Sequence, residues 1–480
     1  MTGADNPGET RLPTPYDRVV YPTAVFAQTH PERLAVLARL AGLDPVHPNA
    51  ARILEIGGGN CFNLLSLAAI YPGCEAHGFD LSEVAIARGQ DIVDHARLAN
   101  VTLAVEDITR AHERYAAGSF DYVSVHGVYA WVPEPVRAAT MALIGHVLSE
   151  RGVAYVSYNC MPGGHVRLIM REMLLDEIGA IADPDEKIAA TRAFLAAYAE
   201  PREDDDAFAK TLRHHARSML ERPDAVLFHD ELGECYYPQR LLDMVGEARR
   251  NGLRYLTDAG RNLHLDGFLK EGDSGSDPEG AVLRAASRDD YTALRFFRQS
   301  LFVRAGQEPD RTIRPERIAD LHLSTKLKRR EDGTFALGED EIEVAHEGLA
   351  DGLTRAAAAH PQRVPVRAIT TDPALLRVLL QLFAEWYVNL HVEPAPFPAA
   401  PGARPEASPL VRGLLEMGDA MVSTLDHTLL KVEQPELRAL LLAADGTRTV
   451  DEIAAAGTGI PDEDIVAALT ASAGRALLRG

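Results

Sequence analysis

The run Glu55-Ile56-Gly57-Gly58-Gly59-Asn60, placed directly after the apolar stretch Arg52-Ile53-Leu54, constrains this chain more than any other segment. Consecutive glycines let a backbone turn tightly and let a ligand approach the main chain. Around this turn, β-type runs at 52–56, 75–79, 101–105, 120–125 and 153–158 alternate with longer helix-type stretches. That rhythm predicts βαβ units and an α/β fold, a doubly wound parallel sheet with its ligand edge at the carboxyl ends of the strands.

The 480 residues leave room for more than one core. The spacing predicts an N-terminal arm over 1–30, a helix opened by Pro31 and ended by Gly42, and a core over 31–270 with a helical insertion at about 166–235. Within that core, 238–251 reads as a helix leading into the strand Gly252-Leu253-Arg254-Tyr255-Leu256. The segment Gly272-Asp273-Ser274-Gly275-Ser276-Asp277-Pro278 marks a boundary. Beyond it are expected a helix-rich middle domain at 271–393, a Pro-rich linker at 394–408 and a small helical or winged-helix-like domain at 409–480.

Lys and Arg number 49 against 70 Asp and Glu, a net charge of −21, which argues against nucleic-acid or anionic-bilayer partners and suits a cationic acceptor. With no membrane-spanning run and no secretory leader pattern, a cytoplasmic location is expected. The four cysteines, Cys61, Cys74, Cys160 and Cys235, read as reduced, mostly buried thiols, and no metal site is expected. The pair His214-His215 reads as a solvated helix face, and the basic run at Lys326, Lys328, Arg329 and Arg330 as an exposed turn.

Asp80 follows Gly59 by 21 residues at the end of the second strand, where a carboxylate accepts hydrogen bonds from both hydroxyls of a ribose. A dinucleotide fingerprint needs a small residue at 62, and the residue there is Phe62. An open glycine turn preceded by the acid Glu55 better suits a cofactor with a cationic amino-acid end and no phosphates, a description that S-adenosylmethionine fits. Asp107, closing the third strand, is placed to accept from an adenine amino group with Ile108 covering the ring; alone, it reads as a helix N-cap.

Through Glu55 to Gly59, Gly78-Phe79-Asp80-Leu81-Ser82, Glu106-Asp107-Ile108 and Phe120-Asp121-Tyr122-Val123, the chain resembles the class I S-adenosylmethionine-dependent methyltransferases over 30–165. The resemblance implies a Rossmann-like sheet with Glu55, Gly57, Gly58 and Gly59 at the methionine end. It also implies Asp80 and Leu81 at the ribose and Asp107 with Ile108 at adenine. More of the chain resembles a narrower bacterial family of methyltransferases with a regulatory domain, which includes protein-lysine methyltransferases. The matching segments are Tyr21-Pro22, Phe26-Ala27-Gln28-Thr29-His30-Pro31, His126-Gly127-Val128-Tyr129-Ala130-Trp131-Val132-Pro133, Tyr158-Asn159, Met161-Pro162-Gly163-Gly164, Phe228-His229-Asp230-Glu231-Leu232 and Arg295-Phe296-Phe297-Arg298-Gln299.

Methyl transfer is an in-line displacement that mainly requires positioning and desolvation. The loop after the fourth strand stands where related amino-group methyltransferases carry Asn/Asp-Pro-Pro-Tyr, and only Tyr129 matches that motif. His126, Tyr129 and Tyr158 are therefore the candidate catalytic residues, with two readings of His126 open: a base, or a structural and cofactor contact. Tyr21, Trp131 and Asn159 are the candidate substrate contacts, Trp131 also reading as lid packing. The expected acceptor is a protein or peptide, with a small molecule as the alternative, a degenerate cofactor-binding regulator as the non-enzymatic one, and a homodimer as the candidate assembly.

Overall fold

The computed structural model describes residues 23–260, 265, 267–269 and 276–480. Tyr21 and most of the expected boundary segment lie outside them. Helix α1 (Pro31–Leu40) starts where His30 accepts the Glu32 N–H through Nδ1 at 3.3 Å, and Gly42, at φ +74°, turns the chain out of it. There follow β1 (Arg52–Ile56), α2 (Phe62–Ile70), β2 (Glu75–Asp80), α3 (Glu83–Ala96), β3 (Val101–Val105), β4 (Phe120–Val125), α4 (Glu134–Val147) and β5 (Leu148–Asn159). The insertion supplies α5 (Gly164–Ile178), α6 (Pro184–Ala199) and α7 (Ala207–Leu220) before α8 (Leu241–Arg250), β6 (Leu253–Asp258), α9 (Pro278–Ala293) and β7 (Phe297–Arg304).

The described residues contain a seven-stranded sheet in the order β3-β2-β1-β4-β5-β7-β6. The first five strands run parallel, and β7 is antiparallel to both β5 and β6. Ile56 is level with Phe79 on one side and Val125 on the other. The chain therefore leaves β1, β2 and β4 at one edge, and Gly57, Asp80 and His126 emerge there together.

The expected doubly wound sheet is present, but β7 comes from the stretch read as helix-rich, so the boundary expected at 270/271 divides strands of one sheet. Its six central residues are buried, and a strand covered on both faces lacks the alternation by which strands are recognised. The same stretch also contributes short strands, including β8 (His322–Ser324), β9 (Lys328–Arg329), β10 (Phe335–Leu337) and β11 (Asp340–Ile342), besides α10 (Glu347–Ala359). The basic run is thus in part a strand rather than a turn, with Arg329 paired to Glu347 and Asp351 and Arg330 to Glu341. It continues through β12 (Val364–Pro365), α11 (Pro373–Ala384) and β13 (Asn389–His391), which pair on either side of β8.

Among the described residues the buried apolar side chains form four clusters, one on each face of the sheet, one inside the insertion and one under the C-terminal segment. That segment comprises β14 (Glu406–Ala407), α12 (Pro409–Glu416), a hairpin of β15 (Met421–Ser423) and β16 (Leu429–Lys431), α13 (Pro435–Ala443), α14 (Val450–Ala454), α15 (Ile465–Ala473) and β17 (Leu478–Arg479). Helix α12 lies directly on α3: a Cβ on Gly413 would stand 2.6 Å from the Ala96 nitrogen, so only glycine allows the approach.

Arg298 on β7 is fully buried and its guanidinium bonds Asp290 at 2.8 Å and Asp258 at 3.3 Å. Removing it leaves Asp290 with Arg295 at 3.1 Å and Asp258 with the Gln299 and Gly260 N–H groups, and takes away the one guanidinium that the two buried carboxylates share. Arg298→Ala should lower unfolding free energy in urea by about 3–5 kcal/mol. Arg88→Ala, which removes an ion pair to Asp419 that is more than a third exposed, should cost about 1 kcal/mol or less.

Candidate active site

β1 ends under the glycine turn. Gly57 and Gly58 donate their N–H groups to the Phe79 carbonyl at 2.9 and 3.3 Å, and Gly57 and Gly59 take φ of +66° and +59°. A Cβ on Gly57 would strike Val128 at 2.7 Å and one on Gly58 would strike the Glu55 carboxylate at 2.8 Å, whereas none of the surroundings comes within 4 Å of one on Gly59. The turn is thus closed on its inner side and bare on the outer.

Glu55 lies beneath the turn, 4% exposed, with Oε1 accepting from Asn63 Nδ2 at 2.7 Å and Oε2 from the Leu64 N–H at 3.3 Å. Burial pushes its carboxyl up to about 7 against the pull of these two bonds, with the Asp80 charge adding to the rise. Asp80 accepts from the Gly59 N–H at 2.8 Å and from the Ser82 N–H at 2.9 Å, and Leu81 beside it is 38% exposed. Asp107 accepts from both the N–H and the hydroxyl of Thr109 at 2.8 Å. Its carbonyl accepts from the Arg110 and Ala111 N–H groups at 2.9 Å, so Asp107 closes the turn that leads into the short helical turn Ala111–Glu113 in the manner of an N-cap. Ile108 lines a cavity of about 400 Å³ with His112, Leu143 and His146.

After β4, His126 stacks on Phe26 with ring centroids 3.8 Å apart, and its Nδ1 meets the Tyr155 hydroxyl at 2.9 Å, with Phe297 edge-on at 6.3 Å. Burial pushes the imidazole down to about 4, so it is neutral near pH 7. Gly127, at φ +71°, donates its N–H to Ser157 Oγ at 2.9 Å. Tyr155, Ser157 and Asn159 share one face of β5 through its period of two, and that face is the one His126 meets.

Alternation also corrects two readings. Tyr158 points to the opposite face, fully buried, with its hydroxyl on Ser300 Oγ at 2.9 Å, in the cluster that packs against α4 and α8. Tyr129 belongs to that same cluster, because Gly127 turns the chain over the strand end. Burial pushes its phenol up to about 12, and the charges acting on it are those of Glu247, Arg137, Arg250 and Glu134 of α8 and α4. Neither tyrosine joins His126. Trp131 is held between Arg167, 4.8 Å above its ring, and Tyr236 at 5.0 Å, so it ties the insertion to the loop after β4.

The sequence reading missed Tyr155, Phe26, Asn63 and Phe297. For Tyr155 a signal exists, since Tyr155, Ser157 and Asn159 alternate toward the residue that follows Val125. Phe26, Asn63 and Phe297 reach the site from separate elements and leave none.

A ligand with a cationic amino-acid end, a ribose and an adenine matches what the edge offers. The bare glycine turn with Glu55 could hold the first, Asp80 the second, and Asp107 with Ile108 the third. The Gly59 side chain-free surface is the observation that admits it. Because the carboxylate form of Glu55 is the one that attracts an ammonium, affinity for S-adenosylhomocysteine should rise with pH through about 7 and be lost below it. Titration calorimetry between about pH 5.5 and pH 8.5 reads this, and Glu55→Gln should both weaken binding and flatten the profile.

Residues 47–212 match the family model described as a methyltransferase domain. The uncharacterized protein RP028 of Rickettsia prowazekii is 33% identical over 220 residues, 46% of this chain and 87% of that protein. RP789 of the same organism is 29% identical over 311 residues, 64% of this chain and 56% of that protein. PKMT2 from Rickettsia typhi superposes with a TM-score of 0.78 over 96% of this chain and 100% of its own, at 20% identity, and its complex with AdoHcy with a TM-score of 0.76. This last likeness extends the shared fold beyond the sheet to nearly the whole chain. The chain belongs to one family with RP028, and with the glycine turn, the two carboxylates at the strand ends and the matched domain in one place it is a class I S-adenosylmethionine-dependent methyltransferase.

Proposed function

We propose that this enzyme N-methylates lysine side chains of a protein substrate. The observation that carries the reading is the aromatic, uncharged enclosure at the end of β4, where Phe26, Tyr155 and Phe297 surround a neutral His126 beside the glycine turn. Such a wall favours a desolvated neutral amine before transfer and attracts the alkylated ammonium by its ring faces afterwards.

S-adenosylmethionine supplies the methyl group as an electrophile on a sulfonium. An imidazole held near 4 is too weak a base to take a proton from a lysine ammonium of about 10.4. In this reading His126 positions, and the apolar enclosure lowers the acceptor's own basicity so that its proton leaves to water. The neutral nitrogen then attacks in line with the departing sulfur, and nothing else in the step needs an acid or a base. Asp80 on the ribose, Asp107 and Ile108 on adenine, and Asn159 on the acceptor complete the assignment.

The resemblance to the protein-lysine branch supports a macromolecular acceptor, as does the charge of −21, which draws in basic segments. The reading treats the insertion and the C-terminal segment as parts that select the substrate, and places the enzyme in the cytoplasm. Incubation of the enzyme with labelled S-adenosylmethionine and a cell lysate should place label on protein lysines by mass spectrometry. Label confined to the small-molecule fraction would overturn the proposal. The Michaelis constant for the protein acceptor should rise with ionic strength, and an unchanged value would remove the electrostatic part of it.

A further inference from the structure

The hairpin of β15 and β16 carries His427 at its tip, at φ +53°, and inserts it into the face of α2. The ring is 5% exposed. Its Nδ1 meets Ser66 Oγ at 2.8 Å and its Nε2 meets Asn63 Oδ1 at 3.2 Å, across a sequence separation of 364 residues. Ser66 is in turn bonded to Ser423 of β15 at 2.7 Å.

The polarity of this chain follows from its far end. Asn63 Nδ2 donates to the Glu55 carboxylate and, at 3.1 Å, to Thr29 Oγ1, so Oδ1 is the accepting side; there it receives the Phe26 N–H at 2.9 Å. A partner of Oδ1 must donate, hence His427 carries its proton on Nε2 and takes the Ser66 hydroxyl at Nδ1. The buried neutral imidazole can do this at any pH near 7, as burial holds it well below its ordinary range.

We propose that His427 is a positioning residue for cofactor binding, acting through Asn63 to orient the carboxylate of Glu55 and the backbone of Phe26. One amide therefore connects the C-terminal segment to the acid beneath the glycine turn and to the ring that stacks on His126. This extends the assigned cofactor chemistry and stands apart from the choice of acceptor. The other groups that face Glu55 are Asp80 and Cys61, the latter's thiol pushed far up by burial. His30 faces His427 edge-on at 5.1 Å and is pushed down to about 4 by burial, so neither histidine charges near pH 7.

The test is the pH profile of S-adenosylhomocysteine affinity by calorimetry, with melting curves to establish folding. His427→Leu should weaken binding roughly 3- to 10-fold at neutral pH, the usual worth of one hydrogen bond. It should also move the midpoint of the profile up by about half a unit to one unit, since a less firmly held amide stabilises the carboxylate less. His427→Gln, which restores an N–H donor, should recover most of both. A folded Leu variant with wild-type affinity and midpoint overturns the proposal, as does a Gln variant impaired as much as Leu. Where the variants do not fold, amide exchange on the wild-type protein decides. By reciprocity the ligand should slow exchange across 421–431, and protection of the glycine turn without protection of the hairpin also overturns it.

Discussion

A carboxylate buried under a glycine turn is the constraint on which the site depends. Glu55 stands at the end of β1, where the chain cannot be moved without unpairing β2 and β4, so its charge has to be met by whatever surrounds it. An unsatisfied buried carboxylate is costly, and two donors from α2, the Asn63 amide and the Leu64 N–H, meet it. Asn63 must then be held at its own oxygen, which brings in Phe26 from the segment before α1 and His427 from the far end of the chain. A local requirement of one side chain thus recruits two distant parts of the sequence.

The sheet sorts its side chains by the same kind of necessity. On β5, Tyr155, Ser157 and Asn159 turn to the face that meets His126, while Ala154, Val156 and Tyr158 turn to the core against α4 and α8. A tyrosine at 158 and one at 155 are therefore unlike in kind: the first packs and the second meets the site. The insertion is attached through the loop between these faces. Trp131 sits against Arg167, whose guanidinium is bound by the fully buried Glu231 at 2.6 and 3.1 Å, so the helices of the insertion are anchored to the loop after β4.

Much of the cofactor half was legible in one dimension because its signals are local. Gly57, Gly58 and Gly59 follow an apolar strand, Asp80 ends the next, and a backbone that must turn through positive φ announces itself as glycine. The surroundings of His126 were harder to read. Tyr129 and Tyr158 are near His126 in sequence or strand register but on the opposite face, since a single positive-φ residue, Gly127, or a one-residue step along a strand reverses a side chain. β7 was invisible for a related reason, being covered on both sides and inserted antiparallel between strands that precede it by more than a hundred positions or by about forty.

The amino-acid sequence by itself determined the α/β order of elements, the glycine turn and the carboxylates at the strand ends. Each follows from the conformational preference or periodicity of neighbouring residues. Only the tertiary structure decided that Tyr155 rather than Tyr158 faces His126, that β7 completes the sheet, and that Asn63 and His427 stand behind Glu55. These depend on which residues are brought together across hundreds of positions, and burial, which sets the protonation of Glu55 and His126, exists only once those parts have packed.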